Sequence, residues 1–346
     1  MSCVGTLVWL LVGMASGFGF MYYYQLRVKQ AKIICEFQPK PETTPRAAFT
    51  TSRLTPSTFV VREYNDIYDE HPQIFVKLSP STGTMLIIDT GCGGATADTE
   101  VGITSLRQYI EEVRLECNGG EALNEGKRLK YVVVATHCHY DHILGMEQFN
   151  DSPILMSSHS PSFVSPTNLP THSLCKNMGI PTPKFKPLLV PHQYDIRSET
   201  GIPLGVFILH TPGHTPDELA IYDAAEKMLY VGDSLYETET IIFPKEGSIG
   251  EWMASIDYLI SFVKTEEEDE AEQVRMSCGH STLCQPALEL LNAVKSFMND
   301  VVAGREPVKG RMSRRGEENV QYVQLGGRFA LRCPERLVLE ARQLNQ

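Results

Sequence analysis

The sequence predicts a layered α/β or α+β domain behind one N-terminal transmembrane helix. Three observations carry this. No charged side chain occurs from Met1 to Gln25. From Thr58 onward, short runs of β-branched and aromatic residues alternate with longer stretches of helical periodicity. Hydrophobic residues make up 42% and charged residues 21% of the 346 positions, enough apolar material for a sizeable core.

The predominantly apolar run Val4–Tyr24 would make a helix of roughly 31 Å, about the thickness of a bilayer's hydrocarbon core. Trp9 and the Tyr22–Tyr24 cluster suit the headgroup level. Arg27, Lys29 and Lys32 follow at once, so the positive-inside rule places the rest of a single-pass chain on the cytoplasmic side. A cleaved signal peptide, with a luminal or secreted domain, is the alternative. It normally carries a basic leading segment and a shorter apolar core, and this run has neither. Residues 25–57, rich in Pro, Thr and Ser in their second half, read as a linker.

A folded domain is expected over 58–304. Its first strands are TFVVREY, QIFVKL and TMLIID. Ile103, Leu106, Ile110 and Val113 share a helix face, and YVVVAT at 131–136 reads as a buried strand. Further strands are expected at GVFILH, LAIYD, KMLYVGD and VRMSCG, and helices at 249–264 and 286–303. Between the last two, TEEEDEAE at 265–272 reads as a solvated loop. Residues 305–346 form a C-terminal extension. Its basic start (Arg305, Lys309, Arg311, Arg314, Arg315) reads as a solvated turn, and Gly326-Gly327 sits between two apolar-rich arms of a hairpin.

The formal charge of −11 argues against a surface built for nucleic acid. The nine cysteines are odd in number and irregular in spacing, with no C-x-x-C pair, so reduced thiols are expected rather than a disulfide framework.

Chemistry concentrates in Thr136-His137-Cys138-His139-Tyr140-Asp141-His142, directly after the strand at 131–136. His137 and His139 are two apart, so an extended strand exit points them to one side. Asp141 and His142 then fall at the turn into a helix. Such a set of imidazoles with a carboxylate suits a borderline metal such as zinc. His214, Asp233 and His280 each follow a predicted strand and stand beside a glycine, which permits close backbone approach. Seven ligands suffice for two metals with one carboxylate shared. Cys138 is expected to pack rather than coordinate, and His71, His159, His172, His192 and His210 are expected to lie outside the set.

These motifs, in this order over roughly residues 58–300, resemble those of the metallo-β-lactamase superfamily. The resemblance implies a four-layer αββα sandwich with all the motifs at one edge. It implies that Asp89, in Ile-Ile-Asp-Thr-Gly, is a structural aspartate near the metal loop. It assigns His137, His139 and His214 to a first metal, Asp141, His142 and His280 to a second, and Asp233 to the bridge.

The implied cofactor is two Zn(2+) ions per chain, with Fe or Mn as substitutes. A zinc pair lowers the pKa of bound water to about 7, and the resulting hydroxide would attack a carbonyl. Asp141 is expected to orient that nucleophile. Asp233-Ser234-Leu235-Tyr236 resembles the D-x-x-Y of quorum-signal lactonases, which makes Tyr236 a candidate hydrogen-bond donor to the substrate carbonyl. The Thr-His-Cys-His-x-Asp-His block also resembles the glyoxalase II thioesterase branch. The expected substrate is therefore a small acyl compound, a thioester or a lactone or ester, and amphiphilic if the anchor is real. Two other classes compete: a mono-iron sulfur dioxygenase, and a metal-stabilised, non-catalytic membrane protein.

Overall fold

The computed structural model describes residues 46–268 and 273–344. The expected anchor at 4–24 and most of the expected linker lie outside the described residues. No helix among the described residues is long and apolar enough to cross a membrane.

The described chain begins with β1 (Arg46–Ala47), β2 (Phe49–Arg53), β3 (Thr58–Glu63), β4 (Gln73–Ser79), β5 (Thr84–Ile88) and β6 (Val101–Ile103), then helix α1 (Leu106–Glu112). Next come β7 (Lys130–Val134), α2 (Tyr140–Ile143), β8 (Ile154–Ser157), the short helices α3 (Leu169–His172) and α4 (Cys175–Met178), and β9 (Leu188–Val190). A run of strands follows: β10 (Tyr194–Arg197), β11 (Pro203–His210), β12 (Leu219–Asp223), β13 (Met228–Val231) and β14 (Thr240–Ile242). Helix α5 (Ile249–Glu268), β15 (Arg275–Cys278), β16 (Gln285–Pro286) and α6 (Ala287–Val302) lead to the final group. That group is β17 (Gly310–Arg314), β18 (Glu317–Val323), β19 (Ala330–Pro334) and α7 (Glu335–Leu344).

Two large sheets dominate. One runs β2-β3-β4-β5-β7-β8-β9 and the other β10-β11-β12-β13-β15-β16. Side chains alternate between faces along each strand. Phe59, Val61, Val76 and Ile87 therefore pack with α1 residues Leu106 and Ile110. Their neighbours Val60, Phe75, Leu86 and Ile88 meet Val206, Ile208, Ile221 and Tyr230 of the second sheet. The two sheets thus face each other. The far face of the second sheet, through Leu209, Ala220, Tyr222 and Leu229, packs on α5 and α6 residues such as Trp252, Ile256, Leu291 and Phe297. Strands β5 and β7 are buried along almost their whole length and pair in parallel, as a strand covered on both faces should.

Three expectations need correction. The segment read as linker up to residue 57 already contains β1 and β2. Strand β2 pairs with β3 over five register positions from Phe49↔Glu63 to Arg53↔Phe59. Its Thr and Ser residues satisfy backbone pairing as well as any, so polar composition hid a strand. Helix α5 runs on to Glu268, because Glu266, Glu267 and Glu268 are good helix formers and no Gly or Pro interrupts. Most consequentially, the C-terminal extension is not an appendage. The expected hairpin exists as β18–β19. It joins β14 and β17 in a four-stranded sheet of order β14-β19-β18-β17. Val320, Tyr322, Leu331 and the α7 residues Leu337 and Val338 are buried in the same core cluster as α5 and α6. Of the basic start, Arg311 and Arg314 belong to strand β17, while Arg315 does stand in the turn that leads to β18. The seven described cysteines are all free, as expected.

Candidate metal centre

The site is assembled where strands of both large sheets end. Beyond β5, Asp89 adopts φ 62°, a left-handed conformation that aspartate tolerates better than most residues. Its carboxylate then accepts from the Thr136 backbone N–H at 2.7 Å, the Thr136 hydroxyl at 2.8 Å and His142 Nδ1 at 2.8 Å. Asp89 therefore clips the strand exit and one imidazole together, in agreement with the structural role implied for it. His139, extended at φ −63° and ψ 150°, caps α2, whose first turn carries Asp141 and His142.

Two groups of ligand atoms result. His137, His139, His214 and Asp233 form one, and Asp141, His142, Asp233 and His280 the other, every residue being buried. In the first, His137 Nε2 and His214 Nε2 lie 3.0 and 3.1 Å from His139 Nδ1. Asp233 Oδ2 is 3.9 Å from His214 Nε2. In the second, Asp141 Oδ2 lies 3.5 Å from His142 Nε2 and 3.4 Å from His280 Nε2. Asp233 Oδ1 is 3.4 Å from both of those nitrogens. Asp233 thus turns one oxygen to each group.

The residues fit two ions. Atoms bonded to a tetrahedral zinc at 2.0–2.1 Å stand about 3.3 Å from one another, close to the spacings observed here. His142 Nε2 and Asp233 Oδ1 are buried without a hydrogen-bond partner, a costly state that an ion between them would relieve. Tautomers agree as well. His142 Nδ1 donates to Asp89 and His280 Nδ1 donates to the Glu70 carbonyl at 2.8 Å, which leaves each Nε2 free to bind an ion. Glycine is required where backbone meets ligand. A Cβ on Gly279 would lie 2.5 Å from Asp233 Oδ1.

Electrostatics divide the two groups. Burial, reinforced by His142 and its other imidazole neighbours, holds His137 well below its usual range. Burial also lowers His139 to about 4 and His214 to about 3. Burial opposes charge on His142 and His280 too, but Asp141 and Asp233 outweigh it and push both well above the usual range. The imidazoles of the metal-free first group are therefore neutral at pH 7, and those of the second hold two imidazolium protons. A bound ion must displace those protons. We expect the first ion to load with little proton release and little pH dependence between pH 5 and 8. The second should release about two protons and bind more tightly as pH rises. Calorimetric titration of the metal-free protein in buffers of differing ionisation enthalpy measures this directly.

Sequence reasoning missed Glu218. This fully buried carboxyl accepts from the Asp233 backbone N–H at 3.0 Å, and its other oxygen lies 3.6 Å from His137 Nδ1. A Cβ on Gly232 would sit 2.6 Å from its Oε1. His137 is the only imidazole of the first group with its far nitrogen anchored by protein, since His139 Nε2 and His214 Nδ1 have no partner. Replacing Glu218 with alanine should weaken metal affinity at the first group by about 10- to 100-fold, with glutamine an intermediate case. Competition against a coloured chelator reads the change. The only signal in the sequence was an acidic pair, Asp217-Glu218, just beyond a ligand histidine.

Tyr236 is placed differently from the expectation. Its ring stands 5.4 Å from the His280 ring, and its hydroxyl donates to the Thr240 carbonyl at 3.3 Å. Cys138 is fully buried in the core, as expected. The five histidines expected outside the set all lie outside it.

A family model of the metallo-beta-lactamase superfamily matches residues 74–264, which spans β4 to α5. The chain belongs to this superfamily. Among relatives, the chain is 32% identical over 315 residues to the "Putative transcription factor avaE" of Aspergillus versicolor, covering 87% of this chain and 90% of that protein. It is 25% identical over 177 residues to the human "Acyl-coenzyme A thioesterase MBLAC2", covering 48% of this chain and 63% of that protein. A metallo-beta-lactamase family protein of Thermus thermophilus superposes with a TM-score of 0.51 at 15% identity, over 75% of this chain and 85% of that one. The family match and that superposition agree with the mixed α/β fold of several sheets described above.

Proposed function

We propose that this chain is a two-metal hydrolase of acyl compounds, acting on a thioester or a lactone or ester. The observation that carries the reading is the pair of ligand groups sharing Asp233, with no expected ligand missing. Five imidazoles and two carboxylates without a thiolate suit zinc, with iron or manganese as alternatives. Bound ions would supply a Lewis acid for the carbonyl oxygen and lower the pKa of water. The chain's own contribution is positional. Asp141 orients the attacking water, Asp89, Glu218 and the Glu70 carbonyl hold the imidazoles, and burial excludes bulk solvent.

The acyl-coenzyme A thioesterase named among the relatives supports the thioester branch. The transcription-factor name of another relative suggests nucleic acid as a partner. A net charge of −11 and the absence of a basic DNA-reading module in the sequence weigh against that here. We further propose that residues 4–24 anchor the chain in a membrane with the catalytic domain on the cytoplasmic side, an arrangement suited to amphiphilic acyl substrates.

The deciding experiment is metal analysis of purified protein with a panel of thioesters and lactones. About two zinc per chain and chelator-sensitive turnover support the reading. One iron per chain without hydrolysis favours a sulfur dioxygenase, and unfolding on metal removal without any turnover favours a structural role. For Tyr236 we expect the ring, not the hydroxyl, to matter. Tyr236→Phe should change kcat less than about threefold, whereas loss of a true oxyanion donor costs about 10²- to 10³-fold.

A further inference from the structure

Almost every arginine of the described domain is engaged. Arg107, Arg311, Arg315, Arg328 and Arg336, for example, each pair with a carboxylate at 3.0 Å or less. Among the described residues no carboxylate pairs with Arg314 or Arg332, in a chain whose carboxylates outnumber its cations. The Nε of Arg332 is buried and has no hydrogen-bond partner. A guanidinium left in that state is a cost that folding alone does not explain.

Register fixes where these arginines stand. Leu331 and Cys333 are fully buried in the core, so Arg332 between them occupies the opposite face of β19. It is paired with Ile242 of β14 on one side and Gln321 of β18 on the other. Arg314 pairs with Glu317, four residues from Gln321 along β18, and so shares that face. The half-exposed apolar side chains Ile242 and Met312 belong to the same face.

The sheet that carries this face adjoins the metal centre through its core side. Strand β14 lies between Tyr236, whose ring packs on His280, and Phe243, whose ring stands 5.9 Å from His214. Phe243 N–H donates to the Arg332 carbonyl at 2.8 Å. Arg315, next in the chain after Arg314, is held by Glu246 through two bonds of 2.8 Å. Arg332 itself is depressed, by burial first and then by Arg314, while Tyr236 and Glu70 are near enough to act in the opposite sense. Glu70 is already bonded by the Tyr140 hydroxyl.

We propose that Arg314 and Arg332 form an anion-recognition subsite on the rim of the metal centre, taking a carboxylate or phosphate group carried by the substrate beside its reacting carbonyl. The adjoining Ile242 and Met312 offer apolar surface to the carbon chain that links the two. Guanidinium groups suit planar or tetrahedral oxyanions, and both sources share that chemistry. The inference deepens the hydrolase reading and rests on it for the reaction, though not for the binding.

The test uses the full metal-loaded chain and three thioesters of matched length, whose thiols are neutral, carboxylate-bearing or phosphate-bearing. Wild-type protein should show KM about tenfold lower for one or both anionic substrates than for the neutral one, and the order of the two identifies the group. In the double variant R314Q/R332Q that advantage should vanish, with kcat and the neutral KM unchanged. An absent preference, or one that survives in the double variant, overturns the subsite while leaving the hydrolase reading intact. If no thioester, lactone or ester is turned over, the hydrolase reading fails and binding decides alone. Phenyl phosphate should then bind the double variant at least about tenfold more weakly than wild type, and equal binding overturns the proposal. Arg314 is exposed, so the single variant R314Q serves as a folded control.

Discussion

Replacing Asp233 with alanine should abolish binding at the second ligand group and lower turnover by about 10³-fold or more, with the fold retained. The argument is geometric. Asp233 Oδ1 lies 3.4 Å from both His142 Nε2 and His280 Nε2, and Oδ2 turns toward His214 at 3.9 Å. Among the described residues no other side chain belongs to both groups. Removing it deprives the second group of one of its two anionic ligands and the first group of its only one. A metal's electrostatic stabilisation of a transition state is worth several kcal/mol, and about 4 kcal/mol corresponds to 10³-fold in rate. Metal analysis should find at most about one ion per chain. The fold should persist because the Asp233 backbone N–H, not its side chain, holds Glu218. A variant with full metal content and unimpaired turnover would refute the shared-carboxylate assignment. One that fails to fold is separated from a site defect by Asp233→Asn, which keeps the volume.

The site was legible because its chemistry is local. A strand exit two residues long puts His137 and His139 on one side, and the next turn delivers Asp141 and His142. That geometry follows from spacing alone. His214, Asp233 and His280 could be read one at a time because each ends a hydrophobic strand beside a glycine. What supports them is not local. Glu218 reaches Asp233 across 15 residues, and the Glu70 carbonyl reaches His280 across 210. Any residue carries a carbonyl, so no sequence pattern announces that partner.

The C-terminal sheet was under-read for a different reason. Every residue of β17 beyond Gly310 is exposed, so GRMSR lacks the alternation that marks a half-buried strand. Its two arginines read as solvated, and pairing with β18 over five register positions is what makes the segment a strand. β2 was hidden in the same way by polar composition, and only its pairing with β3 makes it a strand.

Stability should depend most sharply on a contact far from the metals. Lys77 Nζ lies 2.5 Å from Asp223 Oδ2 and 3.7 Å from Glu226 Oε2, and donates to the Ser57 hydroxyl at 2.9 Å. Lys77 belongs to the first large sheet and Asp223 to the second, so the pair ties the two together. It stands at the end of β12 opposite the metal centre, since Leu219 at the other end donates to the Thr136 carbonyl at 2.8 Å. Lys77→Ala leaves two carboxylates facing each other with their cation gone. Removing one partner of a buried pair costs about 3–5 kcal/mol. In a domain of this size that lowers Tm by roughly 10 °C. Burial already raises the Asp223 carboxyl above its usual range, against the pull of Lys77. A carboxyl raised in the folded state destabilises when ionised and is relieved as pH falls through its folded pKa. Loss of the lysine raises it further, so the deficit of the variant should shrink as the pH is lowered from 8 toward 5. Thermal melts across that range, with metal content and kcat measured alongside, test both halves of the claim. A deficit independent of pH, or a change in kcat to match the change in Tm, would mean that Lys77 acts by some route other than this buried pair.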